Sequence, residues 1–112
     1  MNLHAPDSLS PAFGALADPT RRAILERLWN GEISVGDLAA PFAISAPAVS
    51  RHLKVLEEAG LIARRIDKQR RMIRIDPARL HEVSDWVNNY RKFWEGQLDS
   101  LGAYLEKQKG KP

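Results

Sequence analysis

Residues 45–61, SAPAVSRHLKVLEEAGL, constrain the fold of this chain more tightly than any other stretch, because both ends of one helix and both of its faces are legible in them. The Ser45 hydroxyl can cap an amide left free in the first turn, and Pro47 stands in that turn, where its missing N–H costs little. At the other end Gly60 suits the left-handed residue that closes a helix, and Leu61 can then touch Leu56, so the helix runs for about 14 residues. At about 100° per residue, Val49, His52, Leu53, Val55, Leu56 and Ala59 fall on one side, while Ala46, Pro47, Ser50, Arg51 and Lys54 fall on the other. The first set anchors the helix, and the second is free to touch a ligand. Any amphipathic surface helix shows such a division, so the neighbouring segments decide its meaning.

Upstream, residues 34–40 (SVGDLAA) read as a short helix with Ser34 as its N-cap and Asp37 placed to reach back three residues later. Only Pro41, Phe42, Ala43 and Ile44 separate the two helices. A short helix, a tight turn and a longer helix with small polar residues at its start form a helix-turn-helix over about residues 34–59, whose second helix enters the major groove of DNA.

A chain of 112 residues, 44% of them apolar, builds one domain over residues 1–112 with a small core that gains from association. That length argues against a two-domain enzyme. Seventeen Lys and Arg against fourteen Asp and Glu give a net charge of +3, a weak pointer to a polyanionic partner. With no cysteine, disulfides, thiol sensing and thiolate metal sites are excluded. No apolar run approaches membrane-spanning length, and the first ten residues lack a charged start followed by an apolar core. The expectation is a cytoplasmic protein that does not enter a membrane. Both ends, up to about Asp7 and from about Lys107, read as frayed tails.

Ser10 and Pro11 can open a short helix carrying Phe13 and Leu16, which must end near Asp18 because Pro19 disfavours helical geometry before it. Asp18 caps the next helix, with Ile24, Leu25, Leu28 and Trp29 as its buried side before Asn30 and Gly31 end it. Arg21 and Arg22 in its first turn oppose the helix dipole and call for an outside reason, a phosphate or a carboxylate. Arg22 points away from the apolar stripe and is the phosphate candidate, with Arg21 structural.

Residues 62–67 and 70–75 are β-rich runs joined by Lys68 and Gln69, a two-stranded hairpin placed as a wing over about residues 62–75. Arg64, Arg65, Lys68, Arg70, Arg71 and Arg74 put six of the 17 cations into it, opposed locally by Asp67. Charge can simply protect an edge strand, but beside a helix-turn-helix it can also reach phosphates or the minor groove. Asp76 and Pro77 then open the longest element, to about residue 106. Along it Leu80, Val83, Trp86, Val87, Tyr90, Phe93, Trp94, Leu98, Leu101, Tyr104 and Leu105 recur at spacings of three and four. Such a helix is about 40 Å long, more than a domain this small can cover, so part of it must bury against something else. A second copy of the chain is the simplest partner; packing within one chain or a pocket for an aromatic ligand are the alternatives.

In this order the chain resembles the ArsR-type (arsenic-repressor-like) winged-helix transcriptional regulators over nearly its whole length, most specifically in residues 17–28 (ADPTRRAILERL) and 45–62 (SAPAVSRHLKVLEEAGLI). The resemblance implies an α+β, mostly α, winged helix-turn-helix with a two-stranded wing and a long C-terminal dimerisation helix over about residues 77–106. It also implies a homodimer that binds an inverted-repeat operator in a promoter and represses until a signal releases it. The terminal helices would join the two copies, nominating Phe13, Leu16, Trp86, Tyr90, Phe93, Trp94, Leu98, Leu101 and Leu105. Metal-responsive members carry a cysteine cluster where this chain has SVGDLAA, and others place Asp and His pairs on the last helix. Here His81 and Asp85 have no second pair, His4 lies in a tail and His52 in the recognition helix, so no metal and no cofactor are expected. The residues point to no particular small-molecule inducer. The wing tip also lacks the glycine common in the family.

With the second helix of the motif in the groove, Ala46, Pro47, Ser50 and Arg51 face base edges and Lys54 lies nearer a phosphate. Arg51 is the candidate for reading guanine through O6 and N7. Ser45 either donates to a phosphate or merely caps. His52 lies beside the apolar face, where it is structural or reaches a phosphate. Lys68, Arg70 and Arg71 add affinity with little base selectivity. Two rivals remain: a winged helix that binds a protein or RNA without specific DNA contacts, and an enzyme using Ser45, Ser50 and His52. The second lacks an orienting acid and an oxyanion cradle.

Overall fold

Four capping side chains set the helix starts in the computed structural model, which describes residues 7–110. The elements in order are α1 (Leu9–Leu16), α2 (Pro19–Arg27), β1 (Ile33–Ser34), α3 (Val35–Ala39), α4 (Ala46–Glu58), β2 (Ile62–Asp67), β3 (Arg70–Ile75) and α5 (Pro77–Lys109). The Arg21 amide donates to Asp18 at 3.0 Å, the Asp37 amide to Ser34 at 3.3 Å, the Ala48 amide to Ser45 at 3.3 Å and the Ala78 amide to Asp76 at 3.1 Å. Each bond satisfies a first-turn donor that the helix itself cannot. Helix α1 starts at Leu9, just ahead of the expected Ser10–Pro11 opening, because the Leu9 and Ser10 amides both donate to the Asp7 carboxylate at 3.0 Å. A hydrogen bond from the Ser10 side chain, and after it these amide bonds, hold the Asp7 carboxyl below its ordinary range.

Helix α4 closes as its sequence requires. Gly60 takes φ +78°, its amide donates to the Glu57 carbonyl at 2.9 Å, and the Leu61 amide donates to the Leu56 carbonyl at 3.0 Å. This paired closure turns the chain directly into β2. The hairpin has the expected bounds and pairs Ile62 with Ile75 through to Asp67 with Arg70.

Strand count, Trp29 and the end of the last helix differ from the sequence expectation. The sheet has three strands, ordered β1-β3-β2, because Ile33 and Ser34 pair with Ile73 and Met72. Two residues are too few to show an alternating pattern, and Ser34 is at once the end of β1 and the cap of α3. Trp29 does not join Ile24, Leu25 and Leu28 in the core; it is 71% exposed. Helix α2 ends at Arg27, and the next turn is tightened: the Leu28 amide bonds to Leu25 and the Trp29 amide to Glu26, three residues back, which swings Trp29 off the buried side. Helix α5 continues to Lys109, so Lys107 is helical and not in a tail. The expected N-terminal tail with His4, and the last two residues, lie outside the described residues.

The core is one cluster in which Ile24, Leu38, Leu53, Leu56, Leu61 and Ile73 are fully buried. It joins α2, α3, α4 and the sheet, and it fixes the attitude of α4. Val55, expected among the anchoring residues, is 37% exposed at the edge of the arc. From α5 it takes Val83, with Leu80 partly buried beside it. At 33 residues α5 is about 50 Å long, and it stretches the molecule to 74 Å.

Candidate nucleic-acid interface

Burial of Val49, Leu53 and Leu56 leaves the opposite side of α4 bare. Ser45, Ala46, Pro47, Ser50, Arg51 and Lys54 are all exposed, as a groove-reading face requires. Among the described residues Arg51 has no carboxylate within 4 Å, while Lys54 lies 3.9 Å from Glu58 in an exposed pair that contributes little. The Ser45 oxygen is occupied by its cap, which leaves the hydroxyl proton available to donate.

His52 is held from behind. Its Nδ1 lies 3.3 Å from Arg21 Nη1 and 3.9 Å from an Asp18 carboxylate oxygen, and 22% of the side chain is exposed. Arg21 also donates to the Ala15 carbonyl at 2.7 Å and the Gly14 carbonyl at 3.1 Å, and Arg22 donates to the Leu16 carbonyl at 2.7 Å. The Ala15 and Leu16 carbonyls are orphan acceptors at the end of α1, and the Gly14 carbonyl also accepts from the Ala17 amide at 3.2 Å. They supply the outside reason for two cations in the first turn of α2, and Arg22, nominated for phosphate, spends one N–H there. The Asp18 carboxyl is held below its ordinary range, first by the Arg21 amide and then by the charges of Arg21 and His52. The α1–α2 corner thus braces the recognition helix through His52.

Half of the wing cations are already engaged by carboxylates outside the hairpin. Arg65 makes a forked bond to Glu32, at 2.8 and 3.0 Å from Nε, which lowers the Glu32 carboxyl and raises the Arg65 guanidinium. Arg64 Nε lies 3.0 Å from Glu57 without the alignment of a hydrogen bond, and Arg70 reaches Asp37 at 3.4 Å with both groups exposed. Asp67 is therefore not the sole opponent of this charge. Lys68, Arg71 and Arg74 have no carboxylate within 4 Å among the described residues. Lys68 takes φ +59°, doing at the tip what a glycine does more easily. One residue escaped the sequence reading: Ile66, 73% exposed, lines a groove with Arg64, Arg65, Arg71 and Glu57. A lone apolar residue in a strand pattern reads as core, and only the sheet's extent beyond α4 places it outside.

The other apolar face runs along α1 and α5. Phe13 meets Trp86 edge-on at 5.5 Å between ring centroids, Trp86 stacks on Tyr90 at 4.9 Å, and Trp94 stands edge-on to Tyr90 at 5.8 Å and to Phe93 at 5.7 Å. Trp86, Tyr90, Phe93, Trp94, Leu98, Leu101 and Leu105 are all exposed in the single chain. Leu16 departs from this set, being partly buried against the core. Among the described residues no three potential metal ligands converge; His81 and Asp85 form an exposed pair at 3.4 Å. Among them, too, no helix is long and apolar enough to cross a membrane.

A profile described as a helix-turn-helix domain matches residues 16–65. The HTH-type transcriptional regulator Rv2034 of Mycobacterium tuberculosis is 40% identical, over 87% of this chain and 88% of its own. The crystal structure of an ArsR family transcriptional regulator, RHA00566, superimposes with a TM-score of 0.73 at 36% identity, covering 80% of this chain and 98% of that one. The chain belongs to the ArsR family of transcriptional regulators. Another fold relative of this ArsR-family chain is Mb0332 from Mycobacterium bovis, a homodimeric winged helix-turn-helix DNA-binding domain. It superimposes with a TM-score of 0.61 at 30% identity over 74% of this chain and 80% of its own. The ArsR match to RHA00566 exhausts that chain while leaving part of this one unmatched.

Proposed function

We propose that two copies pair through α1 and α5 and set their α4 helices into successive major grooves of an inverted-repeat operator, repressing the promoter that contains it. The observation that carries this reading is the exposed N-terminal half of α4, where Arg51 has no carboxylate within 4 Å among the described residues, together with a wing whose Lys68 and Arg71 have none either. Arg51 reads a guanine edge; Ser45, Ala46, Pro47 and Ser50 let the helix approach closely; Lys54, Lys68, Arg70 and Arg71 grip phosphates. His52 orients the helix through Arg21. The homodimeric state of the Mycobacterium bovis relative supports the pairing, and the open aromatic face gives it a place. Repression follows the family pattern, and a regulator that binds promoter DNA acts in the cytoplasm.

Anisotropy titrations with promoter fragments from around its own gene test the reading. A two-fold dimer requires half-site centres about 10 to 10.5 bp apart. Equal affinity for direct repeats, or a monomer indifferent to promoter DNA, overturns it.

A further inference from the structure

Trp29 lies outside the DNA face and outside the aromatic ladder. It stands between two shallow depressions, one lined by Leu16, Leu25 and Leu80, the other by Gly31, Ile75 and Pro77. Arg22 and Glu26 also line the first, Glu32 and Arg74 the second. An exposed indole flanked by mainly apolar hollows with charged rims is the kind of surface that anchors an interface. Both hollows lie at the N-terminal end of α5. A second bare surface lies at the opposite end of the same helix. From residue 95 to 110 every residue is exposed, and Leu98, Leu101, Tyr104 and Leu105 extend about 16 Å past Trp94 without covering.

We propose that the Trp29 trough of one protomer receives the distal half of α5 from its partner. The inference rests on the pairing through α5 given above. A two-fold axis across α5 near the aromatic ladder makes the helices antiparallel, so each distal half passes the N-terminal end of the other, where Leu80 and Pro77 wall the trough. The stripe fits that approach, because Leu98 and Leu105 lie within about 20° of Leu80 on the helical wheel. Charge agrees as well: Glu26 on the rim has no cation within 4 Å among the described residues, and Lys107 near the end of the arm has no carboxylate. The contact converts two exposed apolar surfaces into one buried interface. It also presses on α2, the helix whose Arg21 holds His52 of the recognition helix.

The chain has no cysteine, so single introduced thiols report contacts cleanly. Purified Glu26→Cys is mixed with Leu98→Cys, Leu101→Cys or Leu105→Cys, one partner enlarged by a tag, and treated with a short bismaleimide. At least one mixture is expected to give a cross-linked pair of unlike chains, and Asp99→Cys, on the opposite face, none. Trp29→Ala is expected to weaken dimerisation at least about tenfold by sedimentation equilibrium, with Trp29→Phe in between. Because Trp29 is mostly exposed, its loss leaves the isolated fold intact. A dimer that persists without unlike-chain cross-links, or with unchanged affinity in Trp29→Ala, overturns the trough contact and leaves the pairing standing. Leu105→Cys cross-linking only to itself indicates parallel helices and overturns it too. A monomer removes both readings.

Discussion

Arg51 and Arg71 are both exposed cations without a carboxylate within 4 Å among the described residues, but their positions suit them to different work. Arg51 projects from the groove-facing half of α4, so Arg51→Ala is expected to relax base choice at one position, losing about 1 to 3 kcal/mol of discrimination. Arg71 sits on the wing, so Arg71→Ala is expected to weaken binding to every sequence alike. Competition titrations against operators altered one base pair at a time separate the two; equal loss of selectivity from both refutes the assignment. Lys68 offers a sharper separation. Its left-handed φ costs a side-chain-bearing residue about 1 kcal/mol, so Lys68→Gly is expected to raise stability in urea melts while lowering DNA affinity. Most of these residues were legible in the sequence because a cap and an arc already place them on the free face. Arg22 and Trp29 were not. Arg22 is decided by where the end of α1 comes to rest, and Trp29 by a single tightened turn after Arg27.

Helix α4 was legible as an element from its ends inward, since Ser45 and Gly60 carry the geometry of its first and last turns in their own chemistry. Gly60→Ala is expected to destabilise the fold by about 1 kcal/mol through its positive φ alone. A Cβ there also meets Arg79 Nε at 3.1 Å, so the Arg79 side chain must give way. Strand β1 was invisible because its two residues obtain their extended form from β3 and not from any pattern of their own. The wing is tied to the body by Arg65 and Glu32, whose carboxyl lies below its ordinary value of 4.5 in the folded state. A lowered folded value means that the pair's contribution is complete above 4.5 and fades as pH falls toward the folded value. Glu32→Gln is therefore expected to lose stability at neutral pH and to show a shallower acid decline below about pH 4.5 than the parent in denaturant melts. Parallel acid profiles for the two proteins contradict the tie.

On the scale of the whole molecule, the charge that matters is what remains after internal pairing. Arg64, Arg65 and Arg70 each face a carboxylate, so the cationic surface is smaller than the sequence count suggests. A dimer that still neutralises six or more phosphates is expected to lose about 10³- to 10⁵-fold in affinity between 50 and 200 mM salt. A nearly flat response over that range removes the wing from the binding account. The overall architecture was readable because helix-turn-helix, hairpin and long helix follow one another with caps between them. The reach of α5 past the domain was readable only as a surplus of apolar surface.

Ser34 closes a strand with its backbone and opens a helix with its hydroxyl, and it is buried while doing both. Hairpin and α3, the first helix of the turn motif, are thereby riveted together at one buried residue. Loosening the hairpin from α3 therefore means exposing Ser34, whose hydroxyl and backbone serve both elements at once.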